Sequence, residues 1–250
     1  MSGFLLINKP SGPTSHDIID RIRCITDVKT VGHAGTLDPF ASGLLIVGVG
    51  REATREFSKL VGLDKRYHAA LKLGAVSDTD DRTGMISAPL FKKEGGVKIP
   101  TEFSISDIKS ALKKFTGELM QIPPMYSAKK IHGKKMYELA REGKIVERKP
   151  VEIKIFSIVP ITNDQRSTTG NLVLDVHCSS GTYIRALARD IGETLHCGAY
   201  LEELKRTAVG PFNLSEAVKT DDLSKDSWEK YLLPVENVLK KITEYKPSFI

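Results

Sequence analysis

GHAGTLDPFASGLLIVGVG, Gly32–Gly50, joins two kinds of sequence. Its first part holds a histidine, His33, a single carboxylate, Asp38, a proline, and glycines at 32, 35 and 43. Glycine and proline at this density do not make a regular helix or strand. Its second part, Leu44–Val49, is an apolar run bounded by glycine and reads as a buried strand. One acid is therefore held in a loop that feeds straight into the core. The local pattern leaves two readings of Asp38 open. It caps the turn through its side chain, as Asp before Pro often does. Alternatively it is a reactive carboxylate, which needs a rigid position, an ionised state and a nearby cation. The glycines permit a close backbone approach, and the following strand anchors the loop.

Working outward, Phe4–Asn8 reads as a strand, and Thr14 or Ser15 caps a helix with Ile18, Ile19, Ile22 and Ile25 on one face. Residues 53–63 read as helical. In 65–73, Tyr67, Ala69, Leu71 and Leu73 share one face of a strand. SDTDDRTG, Ser77–Gly84, reads as a solvated polar turn. A capped helix starts near Ser104 or Ser106 and stops at Gly117. Strands are expected at 151–161 and 172–178, a helix at 183–195 and a further helical piece at 199–206. Strands and helices mix without a regular βαβ repeat, which predicts an α+β fold with a mixed sheet. One domain carrying a basic insertion fits better than two equal domains.

The 250 residues are 40% hydrophobic and 27% charged, ordinary for a folded chain with a sizeable core. No apolar run approaches the roughly 18 residues that cross a membrane. MSGFLLINKPSGP lacks a basic stretch before its apolar patch and reads as a strand rather than a signal peptide. Three widely spaced cysteines, Cys24, Cys178 and Cys197, suit reduced cytosolic thiols. The pairs His177-Cys178 and His196-Cys197 lack the spacing of a zinc site. No P-loop, dinucleotide fingerprint, G-x-S-x-G or H-E-x-x-H occurs. The net charge is +6, and residues 129–154 alone hold nine Lys or Arg against four Glu. That concentration points to an anionic partner.

Arg185, one turn into a helix and beside its apolar face, is the candidate cation that keeps Asp38 charged; a surface arginine is the plainer alternative. Tyr67, on the apolar face of its strand, either packs in the core or stacks on a planar ligand.

Five stretches are similar in order to the TruB family of pseudouridine synthases: NKPSG (Asn8–Gly12), GHAGTLDPFASGLL (Gly32–Leu45), KRYHAALKLG (Lys65–Gly74), PPMYSAKKIHGKKMYELAREG (Pro123–Gly143) and CSSGTYIRALARDIGETLHCGAYLEELKR (Cys178–Arg206). The resemblance runs from about Phe4 to Val238. It implies isomerisation of uridine 55 in the T-loop of tRNA to pseudouridine. The implied fold is a mixed, largely antiparallel central sheet flanked by helices. In it Asp38 is the catalytic aspartate and Arg185 its partner. Tyr67 stacks on the flipped base, His33 enters the opened T-loop, Tyr183 lines the pocket and Leu204 packs on the nucleotide. Residues 121–155, with Lys134 and Lys135, form a thumb-like insertion that grips the T-arm. The catalytic domain is expected over 1–240, and 241–250 is a tail too short for the C-terminal PUA module of many relatives.

The reaction breaks N1–C1′ and joins C5 to C1′ without net redox change, so no cofactor or metal is expected. The partner is the tRNA T-arm. A cytoplasmic monomer, with no membrane and no required protein partner, is the matching expectation. The rival is a non-catalytic tRNA-binding or RNA-folding protein on the same fold. A guide-RNA-dependent synthase is disfavoured by the thumb segment and the missing module.

Overall fold

The computed structural model describes residues 1–89, 102–125, 130–131, 134–135, 148–161 and 168–247. Its main strands are β1 (Gly3–Lys9), β2 (Val31–His33), β3 (Ser42–Val49), β4 (Lys65–Leu73), β5 (Gly117–Gln121), β6 (Val151–Pro160), β7 (Asn171–Cys178) and β8 (Ala199–Val209). Its main helices are α1 (Ser15–Thr26), α2 (Ile105–Lys113), α3 (Ile184–Thr194) and α4 (Val235–Glu244). Contacts group the chain into two compact units, Met1–His68 with Leu204–Ile250, and Ala69–Glu203.

In the first unit β1 pairs antiparallel with β3 along its whole length, from Gly3↔Val49 to Lys9↔Gly43. The other edge of β3 is shared. β2 takes its end, Val31↔Val49 to His33↔Val47, and β8 takes its start in parallel, Lys205↔Ser42 and Arg206↔Gly43. Residues 34–41 leave the ladder between these two partners and form the loop that carries Asp38. Leu5, Ile7, Leu45 and Val47 pack with Ile18, Ile19 and Ile22 of α1. Phe4, Leu6, Leu44 and Ile46 pack with Val209, Phe212 and Val238 of α4. Covering both faces explains why β1 and β3 are written as apolar runs rather than alternating ones. The Thr14 hydroxyl accepts from the Asp17 amide and the Asp17 carboxylate accepts from the Thr14 amide, so α1 starts on a reciprocal cap.

In the second unit the strand path is β4, β7, β6, β5, and both β6 pairings are antiparallel. The Ser104 cap opens α2, as expected. The mixed, mainly antiparallel arrangement matches the α+β reading.

Two readings need correction. Residues 199–206, expected to be helical, belong to strand β8. Their Glu, Leu and Lys content favours a helix locally, but pairing beside β3 and β4 overrides that preference. Nor is 77–84 a solvated turn. Asp81 is buried, and the backbone of 80–82 is bonded to Leu201 through Leu201 N to Asp80 O and Arg82 N to Leu201 O, both 3.0 Å.

Candidate active site

The Asp38 loop has no regular structure, so its shape depends on side chains that satisfy its carbonyls. Lys9, the last residue of β1, is fully buried, and its Nζ donates to Pro10 O (2.9 Å), Pro39 O (3.2 Å) and Ala41 O (2.7 Å). Ser11 Oγ donates to Phe40 O at 2.7 Å. Ser15 Oγ, at the start of α1, donates to Leu37 O and accepts from Leu37 N, both 2.9 Å. Gly12 N donates to Pro39 O at 2.8 Å. The backbone on both sides of Asp38 is thus fixed by β1, α1 and the turn between them. A hydrogen bond from a charged donor contributes about 1.5–3 kcal/mol, and a buried carbonyl left without one costs a similar amount, so the loop has little freedom to relax.

Lys9 also senses Asp38. Burial pushes its pKa down to about 8, opposed by the Asp38 charge and reinforced by Arg206. The Asp38 carbonyl accepts from Ala41 N at 3.1 Å, closing the turn that the Asp-Pro pair suggested.

His33 ends β2 and is half-buried. Burial lowers its pKa, with Arg206 and His16 adding to the effect, so the ring is neutral near pH 7. Its Nδ1 is buried and, among the described residues, has no hydrogen-bond partner. Tyr67 is buried on the apolar face of β4, and Leu204 is buried on β8. These residues and Asp38 all belong to the first unit.

Tyr183 and Arg185 belong to the second. Tyr183 precedes α3, where the side-chain amide of Gln121 holds its backbone from both sides: Tyr183 N donates to Oε1 at 2.9 Å and Nε2 donates to Tyr183 O at 3.0 Å. Arg185 is not a surface arginine. It is 6% exposed, lies 3.3 Å from the Asp81 carboxylate and donates to Thr79 O. One turn on, Arg189 pairs with Asp80 at 3.0 Å and donates to Ile122 O at 3.2 Å. Burial raises the Asp80 pKa, and Arg189 opposes it.

Lys134 and Lys135 form a two-residue strand paired with Lys130–Ile131. The rest of the expected grip, 126–129, 132–133 and 136–147, lies outside the described residues.

The close approach that the glycines permit is made within the protein. Gly32 and Gly48 lie against the Phe57 ring, where an added Cβ would sit 2.8 and 2.7 Å from ring carbons. Gly43, at φ +104°, lies against the backbone of Arg206, where a Cβ would meet the carbonyl oxygen at 2.3 Å. Gly32, Gly43 and Gly48 therefore serve internal packing. The residues that sequence reasoning missed are Lys9, Ser11, Ser15, Gln121, Asp81 and Arg206. Lys9 and Ser11 stood inside NKPSG, and a lysine closing an apolar strand was the available signal.

With this geometry in place, the comparisons are specific. A family model described as TruB family pseudouridylate synthase (N terminal domain) matches residues 23–184. A second, described as tRNA pseudouridylate synthase B C-terminal domain, matches residues 185–240. The chain belongs to the TruB family. Within that family, tRNA pseudouridine synthase B of Thermosipho melanesiensis is 42% identical over 248 residues, 98% of this chain and 77% of that one. The Aquifex aeolicus protein of the same name is 39% identical over 247 residues, 98% and 82% of the two chains. Among solved structures, a Cbf5-Nop10-Gar1 complex contains a chain that matches with a TM-score of 0.69 at 28% identity, covering 96% of this chain and 62% of that one. This chain spans less than two thirds of that neighbour.

Proposed function

We propose that this enzyme of the TruB family converts uridine 55 of the tRNA T-loop to pseudouridine, with Asp38 as the catalytic carboxylate. The observation that carries the reading is that the family match, continuous over 23–240, includes the rigidly held loop whose one carboxylate is Asp38. The target atoms are unreachable inside a folded loop, so the nucleotide is flipped out at a cost of a few kcal/mol. Stacking on an aromatic ring returns about 1–3 kcal/mol per base, and Tyr67 supplies that ring. Neutral His33 fills the space vacated in the T-loop. Tyr183 lines the base pocket and Leu204 packs on the nucleotide.

Arg185 is the cation that keeps Asp38 ionised for addition to the sugar or base. Within its own unit it is buried 3.3 Å from the Asp81 carboxylate. Lys134 and Lys135 meet T-arm phosphates, which dominate affinity for a folded RNA. The catalytic domain includes 1–240, with 121–155 as its RNA-gripping insertion. The enzyme acts as a cytoplasmic monomer on tRNA without a protein partner. Among the described residues no helix is long and apolar enough to cross a membrane.

The test is incubation with an unmodified T-arm stem-loop, followed by chemical derivatisation and mass detection of pseudouridine. Conversion at a single uridine is expected. Binding with every uridine unchanged would leave a non-catalytic RNA-binding protein instead.

A further inference from the structure

Arg206 is the largest fully buried side chain of the described residues, at 1% exposure, and it lies beneath the Asp38 loop rather than in an apolar cluster. Its three guanidinium nitrogens donate to three different carbonyls. Nε reaches Leu44 O at 2.8 Å, Nη2 reaches Gly35 O at 3.0 Å and Nη1 reaches Thr36 O at 3.4 Å. Gly35 and Thr36 stand just before Asp38, and Leu44 follows the loop on β3. One side chain therefore ties both ends of the loop together. Its own backbone is locked at the same place, because Arg206 pairs with Gly43 in the parallel ladder and packs on it too closely for any side chain.

The charge is the unexpected element. Among the described residues no carboxylate forms an ion pair with Arg206. Neutral donors would satisfy three carbonyls with a smaller desolvation penalty. A guanidinium alone offers a planar fork that reaches three acceptors in fixed directions; a lysine ammonium on the same stem is a compact point and cannot span them. Lys9 and His33, on either side of the loop, both feel the Arg206 charge.

We propose that Arg206 is a positioning residue: it sets the backbone of 35–44 so that Asp38 stands in its reactive place. The proposal rests on the reading of Asp38 as the catalytic carboxylate. A displacement of about 1 Å at a reacting group costs on the order of 100-fold in rate, so a shift of the loop too small to disturb the core is enough.

Arg206→Lys, Arg206→Gln and Asp38→Asn are compared with the parent on a T-arm stem-loop, in binding, thermal unfolding and single-turnover conversion. Both Arg206 variants are expected to fold and to bind RNA like the parent while converting it roughly 10- to 100-fold more slowly, so that kcat falls and KM does not. Retention of charge in Arg206→Lys should not restore the rate. Parent-like conversion by Arg206→Lys, or a loss in step with the fraction unfolded, would overturn the proposal. So would failure of both variants to fold, because the role claimed is confined to the loop. If Asp38→Asn is inactive and Arg206→Lys is not impaired, only this proposal falls. If Asp38→Asn converts RNA normally, the reading of Asp38 falls and takes this proposal with it.

Discussion

The residue scale is governed by what surrounds a carboxylate. Asp38 shares its environment with two buried cations, Lys9 and Arg206, whose hydrogen bonds go to the loop that displays it. Lys9 has a pKa pushed down to about 8 by burial, against an ordinary value of 10.5. Below about pH 8 the lysine is charged in both the folded and unfolded chain. Between about 8 and 10.5 the unfolded chain binds the extra proton, so stability rises with pH across that window. Activity should move the opposite way, since neutral Lys9 no longer supports the ionised Asp38. The expected result is an alkaline fall in kcat with an apparent pKa near 8, while the urea midpoint increases over the same range. Lys9→Arg should shift that limb upward. A flat profile from pH 7 to about 10 would remove Lys9 from this account.

At the scale of elements, the decisive arrangement is the divided edge of β3. β2 pairs with residues 47–49 and β8 with 42–43, which leaves 34–41 free to loop out. Gly43 is the hinge of that arrangement, with φ +104° and the Arg206 carbonyl where a side chain would go. Gly43→Ala should destabilise the protein by at least roughly 2 kcal/mol, combining strain with displacement of β8. Denaturant unfolding measures it, and an unchanged midpoint would show that β8 yields easily at this point. The apolar runs of β1 and β3, the cap at Thr14 and the alternation of β4 were legible in the sequence because each is set by local pattern. β8 was not. Leu-Glu-Glu-Leu-Lys-Arg is helical by composition, and only its neighbours in the sheet make it extended. Misreading the element hid the residue: on a helix Arg206 looks exposed, whereas on a strand it shares a face with Leu204 and Ala208, both buried.

For the whole molecule, family membership was legible from five ordered motifs, and the two family models, over 23–184 and 185–240, span four of them. The residues named from the motifs lie on distinct elements: Asp38 on the pinned loop, Tyr67 and Leu204 buried on strands, Arg185 buried against Asp81. What the sequence left hidden is the supporting set, Lys9, Ser15, Gln121, Asp81 and Arg206. Its members act through backbone carbonyls and buried pairs brought together from distant parts of the chain, and no spacing rule announces such contacts. The central claim is that one carboxylate, held by this frame, drives the isomerisation. Single-turnover conversion of a T-arm stem-loop by Asp38→Asn, with RNA binding measured in parallel, tests it most directly. The account predicts parent-like binding with no pseudouridine formed; conversion at the parent's rate would contradict it.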